Sequence, residues 1–233
     1  DALTASRELE ITLTGKDCGL EERAPMCGVP YHALEGYLSK LVQKGYKVAI
    51  GEQVEDPKTA KGLVKREVIR VVTPGTITNS QALEESKNNY LMGIVYTDGI
   101  FGISVADVST GDYLVTEVKS ERNLIDEIYK FSPSEIICNE AFYMSGIDLD
   151  DLKNRLHAVI SDLDNRFFSD EFCRKLLRDH FHVENLEGLG LSDYETGTIA
   201  AGAVLQYLYE TQKNSLEHLT RITPYTTGQF MMQ

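Results

Sequence analysis

The first part of the fold is decided by residues Ala24–Gln53, which read APMCGVPYHALEGYLSKLVQKGYKVAIGEQ. Between Ala33 and Lys44 the apolar residues recur at i, i+3, i+4, i+7 and i+8, the spacing of one helical face, at Leu34, Tyr37, Leu38, Leu41 and Val42. Gly45 follows as a residue that tolerates the left-handed conformation at which many helices end. The spacing predicts an amphipathic helix over Ala33–Lys44, and the β-rich run Tyr46–Ile50 predicts a strand after it.

The sequence around this helix predicts a small mixed-sheet α/β domain over residues 1–75. β-rich runs at Glu10–Thr14 and Val64–Thr73 flank the helix and its strand, and Pro74-Gly75 is a turn signal. Residues 76–89 are rich in Asn, Ser, Gln and Glu, which is typical of a linker.

A second domain is predicted over residues 90–214. It opens with three closely spaced strand candidates separated by short turns, at Tyr90–Tyr96, Phe101–Asp107 and Asp112–Val118. Short turns favour antiparallel pairing of consecutive strands. Later strands alternate with helices, which favours parallel additions to the same sheet, and a long helix with the small residues 200–203 is expected to pack closely against its neighbours. The whole chain is therefore predicted to be α/β (α+β), with a mixed sheet and flanking helices.

Taken over the whole chain, the net charge of −13 argues against binding to nucleic acid. Its distribution changes that interpretation: residues 1–75 carry 11 Lys and Arg against 11 Asp and Glu, whereas residues 76–233 carry 12 against 25. Within the first part, Lys58–Arg70 holds five basic residues and one acidic residue. This basic stretch either contacts phosphates or is an ordinary solvated surface, and the charge pattern leaves both open.

Four scattered cysteines without a C-x-x-C pair indicate reduced thiols rather than disulfides or a zinc site. The longest apolar stretch near the C-terminus, Ile199–Leu205, is much shorter than the ~20 residues that cross a bilayer, and the N-terminus has no signal-peptide pattern. We therefore expect a cytoplasmic protein with no membrane partner. Because the chain lacks an initiator Met and begins within a helical pattern, we also expect it to be a fragment of a longer protein.

Motifs of common enzymes are absent: the sequence has no Walker A loop, no G-x-S-x-G and no H-E-x-x-H. The carboxylates offer one enzymatic alternative. Asp98 and Asp107 lie at predicted strand ends and Asp112 follows, so they are candidates for holding Mg²⁺ in a metal-dependent nuclease. The competing interpretation is that these aspartates are turn residues.

Three strings in the first part carry a resemblance to a known family: Pro25-Met-Cys-Gly-Val-Pro-Tyr-His-Ala33, Glu52-Gln-Val-Glu-Asp-Pro57 and Val72-Thr-Pro-Gly-Thr76. In this order and spacing they resemble the mismatch-recognition domain of the bacterial DNA mismatch-repair family MutS. The likeness continues through Asp107–Gly111 and Leu205–Gln212, which resemble the connector domain and its closing helix. It covers essentially the whole chain, and residues 215–233 resemble the start of the lever, or core, domain.

The resemblance implies that the chain binds duplex DNA carrying mispaired or unpaired bases. It makes Met26 a candidate minor-groove contact and Lys16 and His32 candidate phosphate contacts, and Lys65 and Arg66 of the basic stretch are further candidate DNA contacts. The family probes mismatches with a Phe-x-Glu motif, which this sequence lacks and which we expect just upstream of Asp1. DNA binding by this chain is therefore expected to be weak, dependent on salt and indifferent to mismatches.

For the second domain, the resemblance implies a ribonuclease-H-like sheet without nuclease activity, which relays the DNA-bound state and docks the MutL protein. Leu205 and Gln206 match the region that meets MutL. The whole protein would be an ATPase that uses ATP and Mg²⁺ and forms a homodimer. This chain, in contrast, is expected to be a monomer that has no enzymatic activity and binds no cofactor or metal.

Overall fold

The computed structural model describes residues 1–19, 21–78 and 88–228. Among these residues, the first part of the chain carries two helices and four strands. Its strands form two separate antiparallel pairs, β1 with β2 and β3 with β4. The elements are α1 (Ala2–Leu9), β1 (Thr14–Lys16), β2 (Ala24–Met26), α2 (Leu34–Gln43), β3 (Val48–Gln53) and β4 (Arg66–Val72).

The helix α2 confirms the periodicity of the opening stretch. Leu38 and Val42 are buried on one face, where they pack with Val72 of β4 and with Ile77. The exposed face carries Lys40. Spacing by three and four residues places the apolar side chains on a single stripe, so burial of that stripe fixes α2 against the β3–β4 pair.

The second part of the chain is a six-stranded mixed sheet covered by helices on both faces. Its strand order is β10-β7-β6-β5-β8-β9, with β5–β6 and β6–β7 antiparallel and with β5–β8, β8–β9 and β7–β10 parallel. The elements are β5 (Leu91–Thr97), β6 (Ile100–Asp107), β7 (Asp112–Val118), α3 (Glu121–Phe131), β8 (Glu135–Cys138), α4 (Glu140–Tyr143), α5 (Leu149–Leu156), β9 (Val159–Asp162), α6 (Asp170–Phe181), α7 (Glu195–Gln212) and β10 (Thr223–Pro224).

Alternating side chains divide the interior of this part into two cores. Met92 and Ile94 of β5 face one core, which contains residues of α3 and α5, whereas Leu91 faces the other, which contains residues of α6 and α7. This alternation is the period of two expected of a strand. A sheet that is buried on both faces explains why its strands read as nearly continuous apolar runs.

Helix α7 lies close to both the sheet and α6 because small residues line it. A Cβ atom added at Gly202 would stand 2.3 Å from Cβ of Cys173 in α6, a distance that no packing tolerates. Ala200, Ala201 and Ala203 of the same helix are fully buried. The prediction that this stretch packs closely is confirmed.

The two parts of the chain meet at the buried carboxylate of Glu135, the first residue of β8. Thr73 Oγ1 donates a 2.6 Å hydrogen bond to its Oε2 and the Gly75 backbone N–H a 3.0 Å bond. From the other side, Tyr207 of α7 donates its hydroxyl proton to Oε1 at 2.6 Å, and Lys47 forms an ion pair with Oε1 at 3.1 Å. We call this cluster the Glu135 joint.

The α/β class, the antiparallel meander and the parallel additions of β8 and β9 are confirmed. Two details of the expected fold are wrong. The described strands of the first part form two antiparallel pairs in place of one mixed sheet. The run Glu10–Thr14 is not a strand, because Glu10 ends α1 in the left-handed conformation and β1 begins only at Thr14. Most of the predicted linker, residues 79–87, lies outside the described residues.

Substituting Gly202 tests the close packing of α7. We expect Gly202→Ala to lower the free energy of unfolding by about 1–3 kcal/mol, because the added methyl group overpacks the contact with Cys173. Gly36→Ala in α2 is the matched control, since nothing lies within 4 Å of its added Cβ. It should instead raise the free energy of unfolding by about 0.5–1 kcal/mol through helix propensity. Urea denaturation measures both, and equal effects would contradict the packing.

Candidate nucleic-acid interface

The β1–β2 hairpin brings Lys16 and Met26 together. Lys16 pairs with Ala24 and Thr14 pairs with Met26, so Lys16 and Met26 are diagonal neighbours on one face of the hairpin. Diagonal neighbours in an antiparallel pair have Cα atoms about 7–8 Å apart. Lys16 is exposed and Met26 is 44% exposed, so this face presents one cation and one flexible apolar side chain to solvent.

His32 lies in a single turn of 3-10 helix that leads from Pro30 into α2. It is exposed, and its neighbour Tyr31 is 85% exposed. Tyr31 is not among the DNA contacts predicted from the sequence. The sequence does contain a signal for Tyr31 as a contact: an aromatic residue in a short turn between a proline and a helix is expected to be exposed. Exposed aromatic rings are common stacking partners for bases.

Lys65 and Arg66 lie at the far end of the β3–β4 hairpin, on a sheet separate from β1 and β2. Both are exposed. Lys65 Nζ lies 2.5 Å from Oε1 of Glu67, and this hydrogen bond raises the pKa of Lys65 and lowers the pKa of Glu67. Part of the positive charge of the basic stretch is therefore neutralised locally, and Arg66 is the more available cation for a phosphate.

The two candidate partner-binding residues differ in accessibility. Leu205 is fully buried in the core between α7 and the sheet, so its predicted contact with a partner conflicts with its packing. Gln206 is 8% exposed, and its Nε2 donates a 3.3 Å hydrogen bond to Glu210, whereas its buried Oε1 has no hydrogen-bond partner. Of the pair, only Gln206 reaches the surface in this conformation.

Asp98 and Asp107 of the nuclease alternative do not converge, whereas Asp112 lies directly opposite Asp107 across β6 and β7 and is exposed. Asp98 lies in the β5–β6 turn and Asp107 at the opposite end of β6, which places them about 25–30 Å apart at ~3.4 Å per residue. Asp107 is buried, and its carboxylate accepts hydrogen bonds from the backbone N–H of Asn89 at 3.0 Å and from Ser109 N and Oγ at 2.8 and 2.6 Å. These contacts make Asp107 a structural turn residue and leave the proposed metal site without a basis.

The described residues contain no group of three or more His, Cys, Asp and Glu side chains arranged to hold a metal ion. Over the same residues, none of the helices combines the length and the apolar character needed to cross a bilayer. Burial raises the pKa of the Cys138 and Cys173 thiols to about 12, so neither is a reactive nucleophile.

Comparison with known proteins identifies the family. Residues 1–81 match the family model MutS domain I, and residues 89–220 match MutS domain II. The DNA mismatch repair protein MutS of Lachnoclostridium phytofermentans is 63% identical over 232 residues, which are 100% of this chain and 25% of the relative. Those of Acetivibrio thermocellus and Alkaliphilus oremlandii are 50% and 47% identical, with 100% of this chain and 27% of each relative covered.

The chain therefore combines a domain I and a domain II of the kind found in mismatch-repair proteins, and it belongs to the MutS family. It spans about a quarter of the length of these curated relatives. Neither matching model indicates an enzymatic domain, since both describe domains I and II alone.

Asparagine substitutions separate the structural role of Asp107 from a catalytic one. We expect Asp107→Asn to lower the free energy of unfolding by about 1–3 kcal/mol, because an amide NH₂ group cannot accept the hydrogen bonds that the carboxylate accepts. The exposed Asp98, which has φ of 51°, supplies the control, since Asn tolerates that conformation and Asp98→Asn should leave stability nearly unchanged. Urea denaturation measures both. Cleavage of duplex DNA with Mg²⁺ or Mn²⁺ that disappears in Asp107→Asn would contradict a structural role.

Proposed function

We propose that this chain is a DNA-binding module that recognises duplex DNA in mismatch repair, with its first part at the DNA and its second part relaying the bound state. The observation that carries the proposal is the exposed Lys16–Met26 face in the part that matches MutS domain I. A cation beside an exposed apolar side chain suits a duplex, because the cation meets phosphate while the apolar group meets the groove.

The charge distribution supports this division. The first 75 residues are neutral overall, whereas residues 76–233 carry the entire net charge of −13. An acidic surface repels the phosphate backbone, so DNA is expected on the first part and a protein partner on the second.

In this proposal the chain acts in the cytoplasm, has no catalytic activity of its own and binds no cofactor, whereas ATP and Mg²⁺ are used by other parts of the whole protein.

Titration of labelled duplex DNA, followed by fluorescence anisotropy at several salt concentrations, tests the proposal. We expect weak binding that weakens steeply with salt. Lys16→Gln and Arg66→Gln should each reduce the slope of log K against log salt by about 0.9, the value for one lost phosphate contact. Lys175→Gln is the matched control, because Lys175 lies on α6 in the second part and pairs with Asp179. Equal effects of all three substitutions would contradict the proposed DNA face.

The same titration with matched and mismatched duplexes addresses recognition. The 233 residues contain no Phe-x-Glu motif to wedge into a base step. We therefore expect the two duplexes to bind equally. Tight binding that favours the mismatched duplex would show that other residues, with Met26 and Tyr31 as the first candidates, supply the probe.

A second proposal concerns the partner of the acidic part: we propose that α7 helps to dock MutL, with Gln206 as a contact. Gln206 is 8% exposed on α7 whereas Leu205 is fully buried, so Gln206 is the member of the predicted pair that a partner can touch. Gln206→Ala should weaken capture of this chain by immobilised MutL, and Gln43→Ala, an exposed glutamine of the first part, is the matched control. Equal capture of both variants would overturn the role of Gln206.

We further propose that this chain is monomeric, which sedimentation analysis measures, and that the whole protein is a homodimer.

A further inference from the structure

A surface cavity of about 510 Å³ lies where the two parts of the chain meet, away from the Lys16–Met26 face. Five segments contribute to it: β4, the residues that follow β4, the turn between β6 and β7, the end of α7 and the segment that follows α7. The described residues that line it are Arg70, Thr78, Val108, Ser109, Gln212, Asn214 and His218. Neither the DNA proposal nor the docking proposal uses this cavity.

Arg70 is the charged residue of the cavity. Its side chain is half-buried, and its Nε is buried without a hydrogen-bond partner. A guanidinium group carries five N–H donors and a permanent positive charge, and buried donors of this kind almost always find an acceptor. The orphaned Nε therefore indicates a missing acceptor at this position.

The described surroundings of Arg70 are mostly polar and neutral. None of the described lining residues is a carboxylate, and they include the amides of Gln212 and Asn214 and the imidazole of His218. The Oδ1 atom of Asn214 accepts a 3.0 Å bond from the Leu216 backbone N–H, which leaves its NH₂ group to donate.

One described carboxylate is hydrogen-bonded to a lining residue, and its two oxygens already accept hydrogen bonds from the chain. Asp107 contacts the lining residue Ser109, but its Oδ1 accepts from Ser109 and its Oδ2 accepts from the backbone N–H of Asn89. It is also buried, with 1% of its surface exposed. The described lining of the cavity therefore combines a guanidinium, two amides and an imidazole and contains no carboxylate.

We propose that this cavity is a binding site for a phosphate-type oxyanion, held by Arg70 with Asn214, Gln212 and His218 around it. An arginine fork matches the spacing of phosphate oxygens, and neutral donors around it complete their coordination without adding repulsion. The anion comes either from free phosphate or from a backbone phosphate of DNA. In both cases it bridges β4 of the first part to the end of α7 in the second.

Thermal unfolding of the full chain in sodium phosphate, compared with sodium chloride at equal pH and ionic strength, tests the site. We expect phosphate to raise the Tm by about 2–4 °C, as specific binding to the folded state does. Arg70→Gln should lose this shift. Asn214→Asp should lose it as well, because the new carboxylate supplies Arg70 with an internal acceptor and repels phosphate. Lys61→Gln, which removes an exposed lysine of the basic stretch, is the matched control and should keep the shift.

Phosphate also stabilises proteins in general, by exclusion from their surface. An equal Tm shift in the unmodified chain, Arg70→Gln and Asn214→Asp would be that general effect and would overturn the proposal, as would the absence of any shift beyond chloride. Duplex titration separates the two sources of the anion. Weaker duplex binding by Arg70→Gln, with competition from free phosphate, identifies a DNA phosphate, whereas unchanged duplex binding with a lost Tm shift identifies free phosphate.

Discussion

The buried carboxylate of Glu135 is the interaction on which the arrangement of the two parts depends. A charge without solvent is stable only when hydrogen bonds and opposite charge surround it. Here the donors come from both parts: Thr73, Gly75 and Lys47 from the first, and Tyr207 from α7 of the second. If the parts separated, the carboxylate would lose most of its partners, so the charge holds the parts in one relative position.

The surrounding structure supports this joint. A Cβ atom added at Gly75 would lie 2.9 Å from Cβ of Glu135, so only glycine lets the backbone N–H reach the carboxylate. The Lys47 ammonium also lies 5.4 Å from the centre of the Tyr207 ring. Burial, together with the nearby Glu135 charge, raises the pKa of Tyr207 well above its ordinary value, so this phenol remains a donor at any physiological pH. The Val72-Thr-Pro-Gly-Thr76 string carries part of the family resemblance, and two of its residues, Thr73 and Gly75, form the joint with Glu135.

The joint connects the proposed DNA face to the acidic part. Lys47 and Thr73 lie just before β3 and just after β4, so the hairpin that carries Lys65 and Arg66 at its far end is anchored at its near end by Glu135. If DNA binds the far end of the hairpin, as proposed, this joint is the contact through which β8 and α7 would respond. The proposed oxyanion site at Arg70 lies on the same strand β4 and would add a second bridge. In the joint the chain supplies the anion, whereas at Arg70 it supplies the cation.

Local pattern predicted much of this fold, and long-range contacts account for what it missed. Helix α2 and the strands β5–β7 follow from spacing and turn residues, which are local properties. The strand β10 is two residues long and contains Pro224, so only its pairing with β7 defines it. Leu205 is a predicted partner contact, but α7 is covered by the sheet on one side and by α6 on another, and no local pattern reveals which side remains open. The partners of Glu135 lie 60 to 88 residues away from it along the sequence. Local pattern therefore predicted the strand that begins at Glu135 but not its buried contacts.

A double-mutant cycle between Thr73→Val and Glu135→Gln tests the joint most directly. Thr73→Val keeps the shape of the side chain and removes its hydroxyl, which also shares a 2.8 Å hydrogen bond with Oγ1 of Thr76. Glu135→Gln keeps the shape and removes the charge. The free energies of unfolding in urea of the unmodified chain, the two single variants and the double variant give the coupling. We predict a coupling energy of about 1–3 kcal/mol, because both substitutions break the same buried, charge-assisted hydrogen bond. Effects that add to within about 0.5 kcal/mol would contradict the role of the joint, because they would mean that Glu135 does not hold the first part through Thr73.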